Sequence, residues 1–131
     1  MSAGKNTGID MLDHIGIEVR SYAQSKAFYA ELLAVLGYIL VEETHGWCGF
    51  GPPGKPQFWI HAGDPAAAPM HIAFAANDRD AVDRFYGTAL EAGGKDNGPP
   101  GVRDIYHPNY YGAFVLDPDG NNIEAVCHAA A

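Results

Sequence analysis

The sequence predicts an α+β fold built from two βαβββ modules, and three observations carry that expectation. At about 100 to 200 residues per domain, a chain of 131 residues forms one domain, and with 47% apolar residues it has material for a real core. Laid on itself at an offset of 57 residues, the chain sets His14-Ile15 on His71-Ile72, Phe28-Tyr29 on Phe85-Tyr86, Leu33 on Leu90 and Gly37 on Gly94 without a gap. Self-similarity of this kind marks a duplicated unit. Within each copy, apolar runs alternate with Gly and Pro clusters in a strand, helix, strand order. The domain is therefore read as residues 11–128, with module one at 11–62, module two at 69–128, and residues 1–10 as a polar tail outside the fold.

In module one, Met11 to Val19 reads as a strand. A helix follows, because Ser21 and Gln24 have capping-box spacing, and Phe28, Leu32 and Leu36 with Tyr29 and Leu33 make one buried stripe. Gly37 stops it. Tyr38 to Glu43, Trp47 to Gly51 and Gln57 to Ala62 are then expected as strands. Module two repeats the order: a strand from Met70 to Ala76, a helix from Arg79 to Ala92 capped by Asn77 or Asp78, then strands at Val102 to Tyr106, Tyr111 to Leu116 and Asn122 to Cys127. The linker is 63–69. One such unit cannot cover both faces of its own sheet, so two must pair.

Composition narrows the partners. Sixteen acidic residues against eight Lys and Arg give a net charge of −8, with no electrostatic footprint for nucleic acid or anionic lipid. No apolar stretch approaches the roughly 18 residues of a membrane span, and no signal-peptide pattern opens the chain, so a cytoplasmic protein is expected. Cys48 and Cys127 lack any CxxC spacing and read as buried thiols.

The polar residues inside these apolar strands carry the functional signal. His14, Gly16 and Glu18 share one strand face, as do His71, Ala73 and Ala75, so small residues leave a hollow with a His at its mouth in both copies. Glu124 stands among Ile123, Ala125, Val126 and Cys127 just after the Asp117-Pro118-Asp119-Gly120 turn. A carboxylate there needs a cation or donor. Arg103 or Lys95 would serve as a plain ion-pair partner, but two symmetric His and one carboxylate also make the 2-His-1-carboxylate set of a divalent metal. Arg103 to Tyr111 (RDIYHPNYY) is expected at the rim of the second hollow, where its Arg, His and Tyr, with His107, Tyr110 and Tyr111 foremost, would supply an anion clamp, proton transfer and stacking. One of the two adjacent Tyr must face inward. His45 and His128 read as turn and tail residues, and Trp47 and Trp59 as core or pocket wall.

Through DHIGIEV, the helix ending LGY, MHIAFAA, the helix ending AGG, and DPDGNNIEAV, the chain from Met11 to His128 resembles the vicinal oxygen chelate superfamily of glyoxalases, bleomycin-resistance proteins and extradiol dioxygenases. The resemblance implies sheets curled into open cups around a divalent ion (Zn, Ni, Mn or Fe), with His14, His71 and Glu124 as ligands, and a homodimer with cups built within a chain or across it. It also implies a fourth ligand on the last strand of module one. Setting HGWCGFGPPGKPQFWI on YGAFVLDPDGNNIEAV puts Phe58 opposite Glu124, or Trp59 if the hairpin is one residue longer. Only a slip of another kind would bring Gln57 or His61 there, so a three-ligand site is expected, as in the fosfomycin-resistance and extradiol branches. The extradiol signature is only partly met, because Phe114 stands where a Tyr is usual. The function implied is a metal-dependent lyase, isomerase, thiol transferase or dioxygenase acting on a small oxygen-chelating substrate. The alternative is a metal-free drug-binding resistance protein.

Overall fold

The computed structural model describes residues 11–65 and 68–131. The N-terminal tail expected at 1–10 and part of the linker lie outside these residues. The element order is β1 (Ile15–Val19), α1 (Tyr22–Val35), β2 (Ile39–Thr44), β3 (Trp47–Gly51), β4 (Phe58–Ala62), β5 (His71–Ala75), α2 (Arg79–Glu91), β6 (Lys95–Val102), β7 (Tyr111–Leu116) and β8 (Asn122–Cys127). This is βαβββ twice. Each module forms a four-stranded sheet, ordered β1-β4-β3-β2 and β5-β8-β7-β6. The pairs β1/β4 and β5/β8 are parallel and the rest antiparallel, so both sheets are mixed.

The helices begin and end by the same chemistry. Ser21 accepts from the Gln24 amide at 3.2 Å, and Asp78 from the Ala81 amide at 2.8 Å, which satisfies one orphan donor in each first turn. Asp78 rather than Asn77 is the cap. At the other end, Gly37 and Gly93 take left-handed backbone (φ 90° and 104°). The amides of Tyr38 and Gly94 reach back to Leu33 and Ala89, closing the same motif twice. The role of Gly37 thus passes to Gly93, one residue before its match in the ungapped repeat.

Phe28, Tyr29, Leu32 and Leu33 of α1 and Val82, Phe85 and Ala89 of α2 are fully buried against the inner sheet faces, in one core that spans both modules. Cys48 and Cys127 are buried free thiols. The modules are also joined by polar contacts. Tyr29 donates to Asp117 at 2.5 Å, Arg20 pairs with Asp119 at 3.1 Å, and Tyr38 donates to the Ala75 carbonyl at 2.9 Å.

The sequence reading differs from the structure most at β6, which runs Lys95–Val102 instead of Val102 to Tyr106. Gly98-Pro99-Pro100-Gly101 suggests a turn, yet it lies in an edge strand that pairs only with β7 and shifts register twice. Prolines are tolerated on such an edge. Residues 103–110 instead form the loop between β6 and β7, closed by the Arg103 amide on the Tyr110 carbonyl at 2.7 Å.

Candidate metal and substrate site

On β1 and β5 the expected alternation holds. His14, Gly16 and Glu18 are exposed while Ile17 and Val19 are buried, and His71, Ala73 and Ala75 are exposed while Ile72 is buried. Each sheet therefore turns one small-residue face outward with a His at its start.

On the second sheet, Ala73 pairs with Glu124 and Glu124 with Phe114, so these side chains share one face. Glu124 is 0% exposed. Its Oε1 lies 2.8 Å from Nε2 of His71, and its Oε2 accepts from the Tyr110 hydroxyl. Neither Arg103 nor Lys95 pairs with it, which corrects the ion-pair expectation: both start from the far β6 edge of the sheet. Burial and the Glu124 carboxylate push the Tyr110 phenol well above its usual range, so Tyr110 is a hydrogen-bond donor here and not a base.

Tyr110 is the inward member of the tyrosine pair. Tyr111 points to the helix side, donates to Asp83 of α2 at 2.6 Å and lies under the Arg79 guanidinium at 4.9 Å. Tyr111 is thereby removed from the site, since neighbouring residues on an extended chain face opposite ways. His107 sets its ring against Tyr110 (5.1 Å between centroids) and touches neither His71 nor Glu124. Its Nδ1 lies 2.7 Å from the Pro108 carbonyl, and its Nε2 lies 2.6 Å from Nδ1 of His128, whose ring stacks on it at 4.6 Å. His128 is thus part of this cluster, which no spacing in the sequence signals.

On the first sheet, His14 is 58% exposed and its Nδ1 is held by Asp13 at 2.7 Å, leaving Nε2 free. It lines a cavity of about 680 Å³ with Trp47, Trp59, His45, Lys55 and Gln57. Register settles what stands opposite Glu124. Gly16 pairs with Trp59 as Ala73 pairs with Glu124, so Trp59, and not Phe58, holds the equivalent position. The β3–β4 hairpin is as long as β7–β8, since Gly49 pairs with Trp59 and Phe114 with Glu124; the ungapped overlay is one residue out of phase along the whole hairpin. The Trp59 ring lies over Gly49, where a Cβ would stand 2.8 Å from it, and Trp47 lies over Gly16, where a Cβ would stand 3.2 Å away. His61 stacks on Trp47 at 4.4 Å, with its Nδ1 buried and unpartnered.

Within one chain the three expected ligands do not meet. His71 and Glu124 are joined, but His14 stays with the sheet of its own module, because the modules are tied through their helices and core. Among the described residues no group of three His, Cys, Asp or Glu side chains is close enough to hold an ion.

Paired βαβββ modules, each opening a polar strand face with a His and one adding a buried Glu, define a duplicated chelate-type fold. The chain belongs to the Glyoxalase/Bleomycin resistance protein/Dioxygenase superfamily, whose family description it matches over residues 11–125. It is similar to a glyoxalase/bleomycin resistance protein from Albidiferax ferrireducens, with 30% identity, a TM-score of 0.79, and coverage of 92% of this chain and 100% of that one. It also shares the fold of a glyoxalase/bleomycin resistance protein/dioxygenase family enzyme from Burkholderia phytofirmans (21% identity, TM-score 0.70, 89% and 98% covered). The fosfomycin resistance protein FosX from Mesorhizobium loti has the same fold (22% identity, TM-score 0.67, 92% and 94% covered). No curated protein matches the chain. No helix among the described residues is long and apolar enough to cross a membrane.

Proposed function

We propose that this protein is a metal-dependent enzyme acting on a small substrate with adjacent oxygens, and that two copies of the chain complete its site. The observation that carries the reading is Glu124: a fully buried carboxylate whose two oxygens meet only an imidazole and a phenol. A buried carboxylate with no fixed cation beside it is expensive, and a divalent ion at His71 would relieve it. The donor set fits such an ion, since imidazole and carboxylate suit Zn, Ni, Mn or Fe. His71 and Glu124 of one copy would hold it with His14 of a second, whose free Nε2 is oriented by Asp13 in the way outer partners fix ligating imidazoles. When bound, the ion would polarise a carbonyl and stabilise an enolate or alkoxide.

The chain's own residues do the rest. Tyr110 fixes Glu124 by donating to it, and the stacked His107 and His128 stand at the rim beside Tyr110, where an imidazole can accept or return a proton. Trp47 and Trp59 wall the first cavity and would press a planar substrate toward His14.

Those tryptophans also favour a second reading, binding of a planar drug-like molecule without metal or turnover. Metal analysis of untagged protein separates the two. Co-expression adds a sharper test of assembly: His14→Ala and Glu124→Ala chains, each metal-free alone, should recover one of the two metal sites in the purified mixed dimer, because one mixed site keeps all three ligands. Metal-free wild-type protein would reject the enzyme reading, and no recovery in the mixed dimer would reject the shared site.

A further inference from the structure

Arg103 opens the β6–β7 loop, and its side chain turns back over the second cup. Its guanidinium lies over the Phe114 ring at 5.4 Å. The row Ala73, Glu124, Phe114, Gly98 crosses the sheet in register, so Arg103 stands on the same face as Glu124, above Phe114 and Gly98. With strands about 4.8 Å apart, two strand steps set Gly98 roughly 10 Å from Glu124.

The side chain is held in this place. Nη2 donates to the Pro99 carbonyl at 2.7 Å. A Cβ on Gly101 would stand 2.9 Å from Nη1, and one on Gly98 would stand 3.4 Å from Nη2, so two glycines make the room it occupies. Yet its charge is unanswered. In a chain with sixteen acidic residues and eight basic ones, Arg20, Lys26 and Arg84 are ion-paired, while among the described residues Lys55, Arg79 and Lys95 share with Arg103 the lack of an acidic partner. Among the described residues, no acidic side chain comes within 4.0 Å of Arg103. Phe114 covers one face of the guanidinium, and the unused N–H groups lie in its plane, the arrangement that grips an oxyanion.

We propose that Arg103 anchors an anionic group, a carboxylate or phosphonate, of the substrate whose other oxygens lie at His71 and Glu124. The proposal rests on the second cup being part of the substrate site. It selects small organic anions over neutral and cationic substrates, and it assigns Gly98 and Gly101 the task of keeping the guanidinium on Phe114.

The test titrates metal-free protein with benzoate and with phenylphosphonate, against benzyl alcohol as the neutral control, following the NMR signals of the Arg103 side chain and the Gly98 and Gly101 amides. Saturable shifts with one or both anions and none with the alcohol are expected, and the stronger anion identifies the group. Arg103→Gln should weaken anion binding about ten- to a hundredfold while divalent-ion affinity stays unchanged. Gly101→Ala, which keeps the charge but crowds Nη1, should weaken it as well, and carries the test should Arg103→Gln fail to fold. No saturable shift, or anion binding that both variants leave intact, overturns the proposal. His71→Ala should abolish metal binding and spare the anion. A protein that binds anions through Arg103 but no divalent ion keeps this site and loses the metal-enzyme reading.

Discussion

Trp59 and Glu124 occupy the same register position in the two copies of one module, Trp59 beside Gly16 and Glu124 beside Ala73. The residue next along each row is exchanged with them: Gly49 pairs with Trp59 where Phe114 pairs with Glu124. One cup is thus walled by indoles, while the other sets a carboxylate beside a phenyl floor.

Gly49→Ala should therefore destabilise the protein, because its methyl would stand 2.8 Å from the Trp59 ring. Overpacking of this kind costs about 1 to 3 kcal/mol. Gly87→Ala, in α2 with nothing within 4 Å of its Cβ, should instead stabilise by about 0.8 kcal/mol from helix propensity. Urea melts check both, and altered tryptophan emission should accompany Gly49→Ala alone.

Tyr29→Phe should cost about 2 kcal/mol at neutral pH, since the buried hydroxyl is removed from Asp117. Alkali tests the same bond. Burial and Asp117 hold the Tyr29 phenol well above its usual value of 10.0, and burial and Glu124 hold Tyr110 above it. A raised native value favours the protonated form in the folded state, so this stability is fully present below pH 10 and is lost as pH rises beyond it. Wild-type stability should fall steeply above pH 10, and Tyr29→Phe should flatten that fall. Parallel pH curves would show that Tyr29 does not carry the effect.

His14→Ala should remove divalent-ion binding and leave the thermal melt unchanged, because His14 is 58% exposed and precedes β1 without entering the core. Calorimetric titration with Zn and Mn reads the first outcome. A lowered melting temperature in the metal-free protein would make His14 structural.

The tautomers of two histidines follow from their partners. The Pro108 carbonyl only accepts, so Nδ1 of neutral His107 carries the proton and Nε2 accepts from Nδ1 of His128. Long-range ¹⁵N NMR at alkaline pH should show both rings as Nδ1–H tautomers, with His128→Ala shifting the His107 Nε2 signal. An Nε2–H tautomer at His107 would contradict the arrangement.

Much of this was legible in the chain. The repeat located both modules, and strand alternation placed His14 and His71 on outward faces because a period of two leaves no other choice. Glu124 was conspicuous as the charge in an apolar run. What escaped detection depends on register and on tertiary contact. Trp59 was recoverable only from β1/β4 pairing, since an overlay shifted by one residue exchanges the faces of a whole strand. β6 was hidden by its Gly-Pro-Pro-Gly stretch, whose strand pairing comes from β7 and not from local preference. His128 joins its cluster through the β6–β7 loop, a tertiary contact that no periodicity records, and the position of Arg103 over Phe114 depends on the same loop although the stretch it opens was already expected at the rim.

The prolines of β6 have a further consequence for how the molecule coexists with its own kind. An edge strand with a full set of amides is a template for another chain, and uncontrolled sheet extension leads toward aggregates. Pro99 and Pro100 carry no amide hydrogen, and two register shifts break the strand's regularity. The outer border of the second sheet is thus a poor template for a neighbouring strand. Association is steered away from that border, toward surfaces where side chains, and not backbone, decide the fit.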